Sequence, residues 1–124
     1  MVPPALRAWF IVHFWADLLF AVPMFVAPRA VLGLLGWQEV DPLSTRLVAA
    51  APFGIGIESL LGRNATLASF RTMLKLKVIW SSTATLGILW SIAEGAPPAA
   101  WIFAAIFGGF CANWSYWLRR VGTA

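Results

Sequence analysis

At 124 residues, 60% hydrophobic and only 11% charged, with a mean hydropathy of +0.79, the chain carries under half the charge of a soluble domain, where about 25% of residues are charged. A net charge of +4 does not point to nucleic acid, because the basic residues stand at segment ends rather than along one solvated face. A single cysteine, Cys111, inside an apolar run, excludes a disulfide framework and a CxxC metal pattern.

Four segments each supply the roughly 20 apolar residues that cross a hydrocarbon core, and together they use nearly the whole chain. The expectation is one transmembrane domain over residues 1–124: an all-α, integral membrane four-helix bundle with spans at about 5–26, 42–61, 75–93 and 97–118. The first span is interrupted by His13 and Asp17 and is too long for the h-region of a cleaved signal peptide, so it is read as retained. Pro23 lies near its end and Pro28 marks the exit. The stretch from Pro28 to Trp37 is apolar but too short to span; it reads as a short interfacial helix between spans one and two.

Asp41-Pro42 opens the second span as an N-cap followed by proline at the first helical position, and Gly62 with Asn64 closes it. Arg46, Ala50, Gly54, Glu58 and Gly62 recur every four residues, and this row of small side chains is expected to face protein. Asn64 is read as the cap of the third helix, whose first turns are amphipathic and lie at the interface before the chain enters lipid near Lys77. Glu94-Gly95-Ala96 reads as a tight turn and Pro97 as the start of the fourth span. There Ala105, Gly109 and Asn113 form a second inward row.

With both termini inside, Arg7, Arg63, Arg71, Lys75, Lys77, Arg119 and Arg120 fall on the cytoplasmic side against Arg29 and Arg46 outside, a positive-inside asymmetry. The orientation implied has both termini in the cytoplasm.

His13, Asp17, Glu58, Lys77 and Asn113 form the candidate intramembrane polar cluster, since ionisable groups at such depth cost about 2.5–3.5 kcal/mol each to insert. A purely structural account is available too: His13 and Asp17 pair at i,i+4, and Glu58 pairs with Lys77 or Arg63. One histidine is too few for an HExxH zinc site, and no metal, cofactor or nucleophile with its base is read from the chain.

The run PRAVLGLLGWQEVDPLSTRLVAAAPFGIGIESLLGRN, followed by LKVIWS, resembles small prokaryotic four-span membrane proteins akin to the DoxX-like group. The resemblance implies an inner-membrane helix bundle and assigns no functional residue. Three functions stay open. The favoured one is a non-enzymatic membrane protein that binds a hydrophobic small molecule or serves as an accessory subunit of a larger membrane complex. The second is an oligomeric transporter of protons or small solutes in which Glu58 and the His13–Asp17 pair titrate. The third is a lipid-modifying enzyme with His13 and Glu58 as acid and base, which requires the two to share one cavity. The expected partners are membrane lipid, a hydrophobic ligand and further copies or other chains of a complex.

Overall fold

Leu6, Phe10, His13, Phe14, Asp17, Ala21 and Met24 recur at intervals of three and four residues along Pro4–Val26, and they are the residues that this helix, α1, buries. The computed structural model describes residues 1–122. The described chain is all-α: after α1 come α2 (Pro28–Leu34), α3 (Pro42–Leu61), a 3-10 turn (Gly62–Asn64), α4 (Leu67–Ala93) and α5 (Ala100–Gly122). It divides into two units. One is Pro3–Ala65, in which α1 and α3 pack antiparallel; the other is Met1–Val2 with the chain from Thr66 onward, in which α4 and α5 do.

Among the described residues two helices, Pro4–Val26 and Leu67–Ala93, are long and apolar enough to cross a membrane, where four were expected. The other two long helices are diluted by polar and small residues. α3 carries Ser44, Thr45, Arg46, Glu58 and Ser59, while α5 carries Asn113, Ser115 and the Arg119-Arg120 pair.

The helix ends follow local chemistry. Asp41 caps α3, its carboxylate accepting from the amides of Leu43 (3.3 Å) and Ser44 (3.2 Å) and from the Ser44 hydroxyl, with Pro42 at the first helical position. The ends of α2 and α4 are closed alike. Gly36 (φ 105°) and Gly95 (φ 98°) adopt a backbone that favours glycine, letting Trp37 N–H donate to the Leu32 carbonyl (3.0 Å) and Ala96 N–H to that of Ser91 (2.9 Å).

Two boundaries differ from expectation. Thr66, not Asn64, caps α4, its hydroxyl accepting from the Ser69 amide at 3.3 Å, because Asn64 is taken up by the 3-10 turn that continues α3. α5 begins at Ala100 rather than Pro97. A residue preceding proline is disfavoured in the α region, so the Pro97-Pro98 step makes tighter i→i+3 turns first, with Ala100 N–H on the Pro97 carbonyl at 2.9 Å and Trp101 N–H on that of Pro98 at 3.1 Å.

The last carbonyls of a helix lack partners within it, and here arginines from elsewhere in the same unit supply them. Arg46 Nε donates to the Phe25 carbonyl at the end of α1 (2.9 Å), the Arg7 guanidinium to the Arg63 carbonyl just past α3, and Arg71 Nε to the Val121 carbonyl at the end of α5 (2.7 Å). Each positive charge also sits at the negative end of a helix dipole.

Both four-residue rows of small side chains fail to mark the buried faces. On α3, Ala50, Gly54 and Glu58 are exposed, and the buried set is Ala49, Pro52, Gly56 and Ser59. On α5, Ala105 and Gly109 are exposed while Ala104, Trp114, Trp117 and Val121 are buried. At 3.6 residues per turn, each four-residue step drifts by about 40°, so a long row winds off any single face.

Candidate functional site

In the first unit, His13 and Asp17 stand one turn apart on α1, and His13 Nε2 lies 3.3 Å from Asp17 Oδ1, with both side chains buried. The expected i,i+4 pair is therefore present. α3 brings Ser59 to the other face of the ring, its Oγ 3.5 Å from His13 Nδ1. Ser59 is fully buried and donates its own proton to the Ile55 carbonyl at 2.8 Å, so what it offers His13 is a lone pair. The order Ser59, His13, Asp17 has the look of a nucleophile, base and orienter. A hydroxyl sealed from solvent and hydrogen-bonded to its own helix is instead a packing element.

Gly56 makes this close approach possible. A Cβ at Gly56 would lie 2.7 Å from Asp17 Cβ, 3.3 Å from Asp17 Oδ2 and 3.4 Å from the Phe14 carbonyl oxygen. Gly54, from the expected row, has nothing within 4 Å of such an atom.

Glu58 does not join the group. It is exposed, and among the described residues it forms no ion pair, so the expected pairing with Lys77 or Arg63 is absent. Successive helical residues are about 100° apart; with Ser59 turned inward, Glu58 points outward. Glu58 and His13 thus face different surroundings. Arg63 instead donates to the Leu60 carbonyl.

In the second unit, Lys77 is only 3% exposed, and its ammonium lies 5.1 Å from the centre of the fully buried Trp114 ring. That indole stacks on Phe110 with centroids 5.7 Å apart and 15° between the planes. One turn beyond Lys77 on α4, Ser81 donates to the Lys77 carbonyl at 2.6 Å. Asn113 is half-buried, and its Nδ2 finds no hydrogen-bond partner among the described residues. His13 and Asp17 therefore belong to one unit, Lys77 and Asn113 to the other.

Sequence reasoning missed Ser59, Gly56 and Trp114. The signal for the first two was the spacing of Ala49, Pro52, Gly56 and Ser59, at three, four and three residues, which tracks a helix face more closely than steps of four.

Two recesses lie toward the opposite end of the α1–α3 pair. One, of about 250 Å³, is lined only by aliphatic and aromatic side chains: Ala21, Val22, Phe25 and Val26 of α1 with Ala49, Ala50 and Phe53 of α3. The other, of about 210 Å³, is lined by Ala27, Pro28, Arg29, Ala30, Pro42 and Arg46. Near it, hydrogen bonds from the Ser44 hydroxyl, then from the Ser44 and Leu43 amides, hold the Asp41 carboxyl below its ordinary value of 3.8, with the Arg29 charge adding to the effect.

Among the described residues, no group of three or more His, Cys, Asp or Glu side chains is placed to hold a metal ion. No family profile, curated protein or solved structure matches the chain.

Proposed function

We propose that the protein is a multi-pass membrane protein that works by binding a hydrophobic small molecule rather than by catalysis. The observation that carries this reading is an inverted polarity. Leu19 on α1 and Leu86 on α4 are 75% and 68% exposed, and Trp15, Trp90, Trp101, Ile79 and Ile102 are exposed too, whereas His13, Asp17, Ser59, Lys77 and Ser81 are buried. Water as solvent would favour the reverse; lipid favours this arrangement, because polar side chains there seek partners in protein while apolar ones face the acyl chains.

In this reading all four long helices cross the inner membrane, with both termini in the cytoplasm. The two less apolar ones, α3 and α5, are carried by their partners, as is common where polar and small residues face neighbouring helices. The seven basic residues assigned to the cytoplasmic side, against Arg29 and Arg46, set the orientation. The recess between α1 and α3 supports binding, since it is apolar throughout and opens among exposed side chains.

The test is expression of the full chain followed by alkaline carbonate extraction and native mass spectrometry from mild detergent. Retention in the membrane pellet with a co-purified apolar ligand is the expected result. Release into the carbonate supernatant would overturn the membrane reading. A pelleted protein carrying another chain but no ligand would favour an accessory-subunit role.

A further inference from the structure

We propose that the recesses at the Phe25–Arg46 end of the α1–α3 pair together form a binding site for an anionic phospholipid, an acyl chain lying in the apolar groove and the phosphodiester group between Arg29 and Arg46. The inference rests on the membrane reading above and specifies the ligand.

The two recesses are continuous in sequence on both helices. On the α1 side the groove ends at Phe25 and Val26 and the basic recess begins at Ala27; on α3 the basic recess ends at Arg46 and the groove resumes at Ala49. An apolar slot that gives way to a pair of guanidinium groups matches a molecule with a chain at one end and a negative charge at the other. At about 250 Å³ the groove falls short of the roughly 300–1,000 Å³ of pockets that enclose a whole ligand. Its occupant therefore continues outside it, as an acyl chain running on into the bilayer does.

The charges at the headgroup end are available. Arg29 is exposed and makes no hydrogen bond or ion pair among the described residues. Arg46 uses Nε on the Phe25 carbonyl, an arrangement that fixes the guanidinium at the rim of the groove. The nearby acid, Asp41, has its carboxylate engaged by Leu43 and Ser44, and Glu39 is exposed and does not line the recess. Arginines at the end of a span stand at headgroup depth, where a phosphodiester meets them.

The test reconstitutes the full chain in vesicles of equal phosphatidylglycerol and phosphatidylcholine, extracts it in mild detergent and counts retained lipids by native mass spectrometry. Wild type should retain phosphatidylglycerol in preference to phosphatidylcholine. Arg29→Gln should reduce that preference about fivefold, the effect of one basic residue near an anionic headgroup. Ala50→Phe, which fills the groove from an exposed position, should reduce retention of both lipids. Equal retention of the two lipids by wild type, or a preference unchanged in Arg29→Gln, overturns the proposal. Carbonate extraction of the same vesicles separates the two levels: a chain that stays in the pellet without lipid preference sinks this inference alone, and one that is extracted sinks the membrane reading with it.

Discussion

Gly56 of α3 lies so close to Asp17 of α1 that no larger residue fits between them: an added Cβ would come within 2.7 Å of Asp17 Cβ. The helix crossing and the His13–Asp17 pair thus depend on the same missing methyl group. Gly56→Ala should lower stability by about 1–3 kcal/mol, the range for overpacking a close contact, measured as thermal unfolding in detergent. Gly54→Ala, where a Cβ meets open space, is the control and should be neutral. Equal melting of the two variants would mean that α1 and α3 do not meet at Gly56.

Asp17 holds His13 from one turn away on the same helix, at 3.3 Å, in buried surroundings. Asp17→Ala leaves the buried imidazole without its carboxylate partner and should cost about 1–3 kcal/mol, the range for a buried polar group left unsatisfied. Asp17→Asn keeps a hydrogen-bonding side chain of the same shape and should cost less. If both variants melt like wild type, the pair contributes nothing to stability.

Asp41 supplies a pH dependence of known sign. Its folded-state pKa is lowered from 3.8, first by the Ser44 hydroxyl and then by the Ser44 and Leu43 amides. Its contribution is therefore fully present above the unfolded value of 3.8 and is lost as pH falls through the lower folded value. Amide exchange at Leu43 and Ser44 should accelerate only in that acid window, beyond the intrinsic trend. Asp41→Asn retains a good N-cap and should remove the pH dependence.

Arg71 joins the start of α4 to the last turn of α5 through the Val121 carbonyl. Arg71→Met should destabilise the α4–α5 pair by roughly 1.5–3 kcal/mol, the range for a hydrogen bond to a charged group. The loss should show as faster amide exchange confined to the final turns of α5. Arg71→Lys restores charge without the planar donor and should recover only part of the protection.

For the proposed topology, cysteine placed at Glu94, in the exposed turn after α4, should react with an impermeant reagent added outside intact cells. Labelling only after the cells are opened would reverse the orientation.

What could be read from the sequence was what short-range chemistry decides. Asp41-Pro42 capped a helix, Gly95 stood in the turn that ends another, and His13 met Asp17, because each involves partners within a few residues whose geometry the backbone fixes. Faces were harder. Small residues every fourth position suggested one side of α3, but the drift of an α-helix turned Gly54 and Glu58 outward and left Gly56 and Ser59 inside. Glu58 also showed that a carboxylate in an apolar stretch need not be buried. Trp114 carried no local sign that Lys77, in another helix, would lie over its ring.

The arginine caps bear on how the chain is made. Phe25 leaves the ribosome 21 residues ahead of Arg46, Arg7 precedes Arg63 by 56, and Arg71 precedes Val121 by 50. In each case one partner must wait for the other. The end of α1 therefore lacks its arginine donor until α3 has been synthesised, and the end of α5 gains its own only on meeting α4. Each pair of helices thus carries within itself the donors that its helix ends use. A truncation that stops between the members of a pair should leave its product to quality-control proteases, whereas one that stops at Ala65 releases the first pair with its own caps in place.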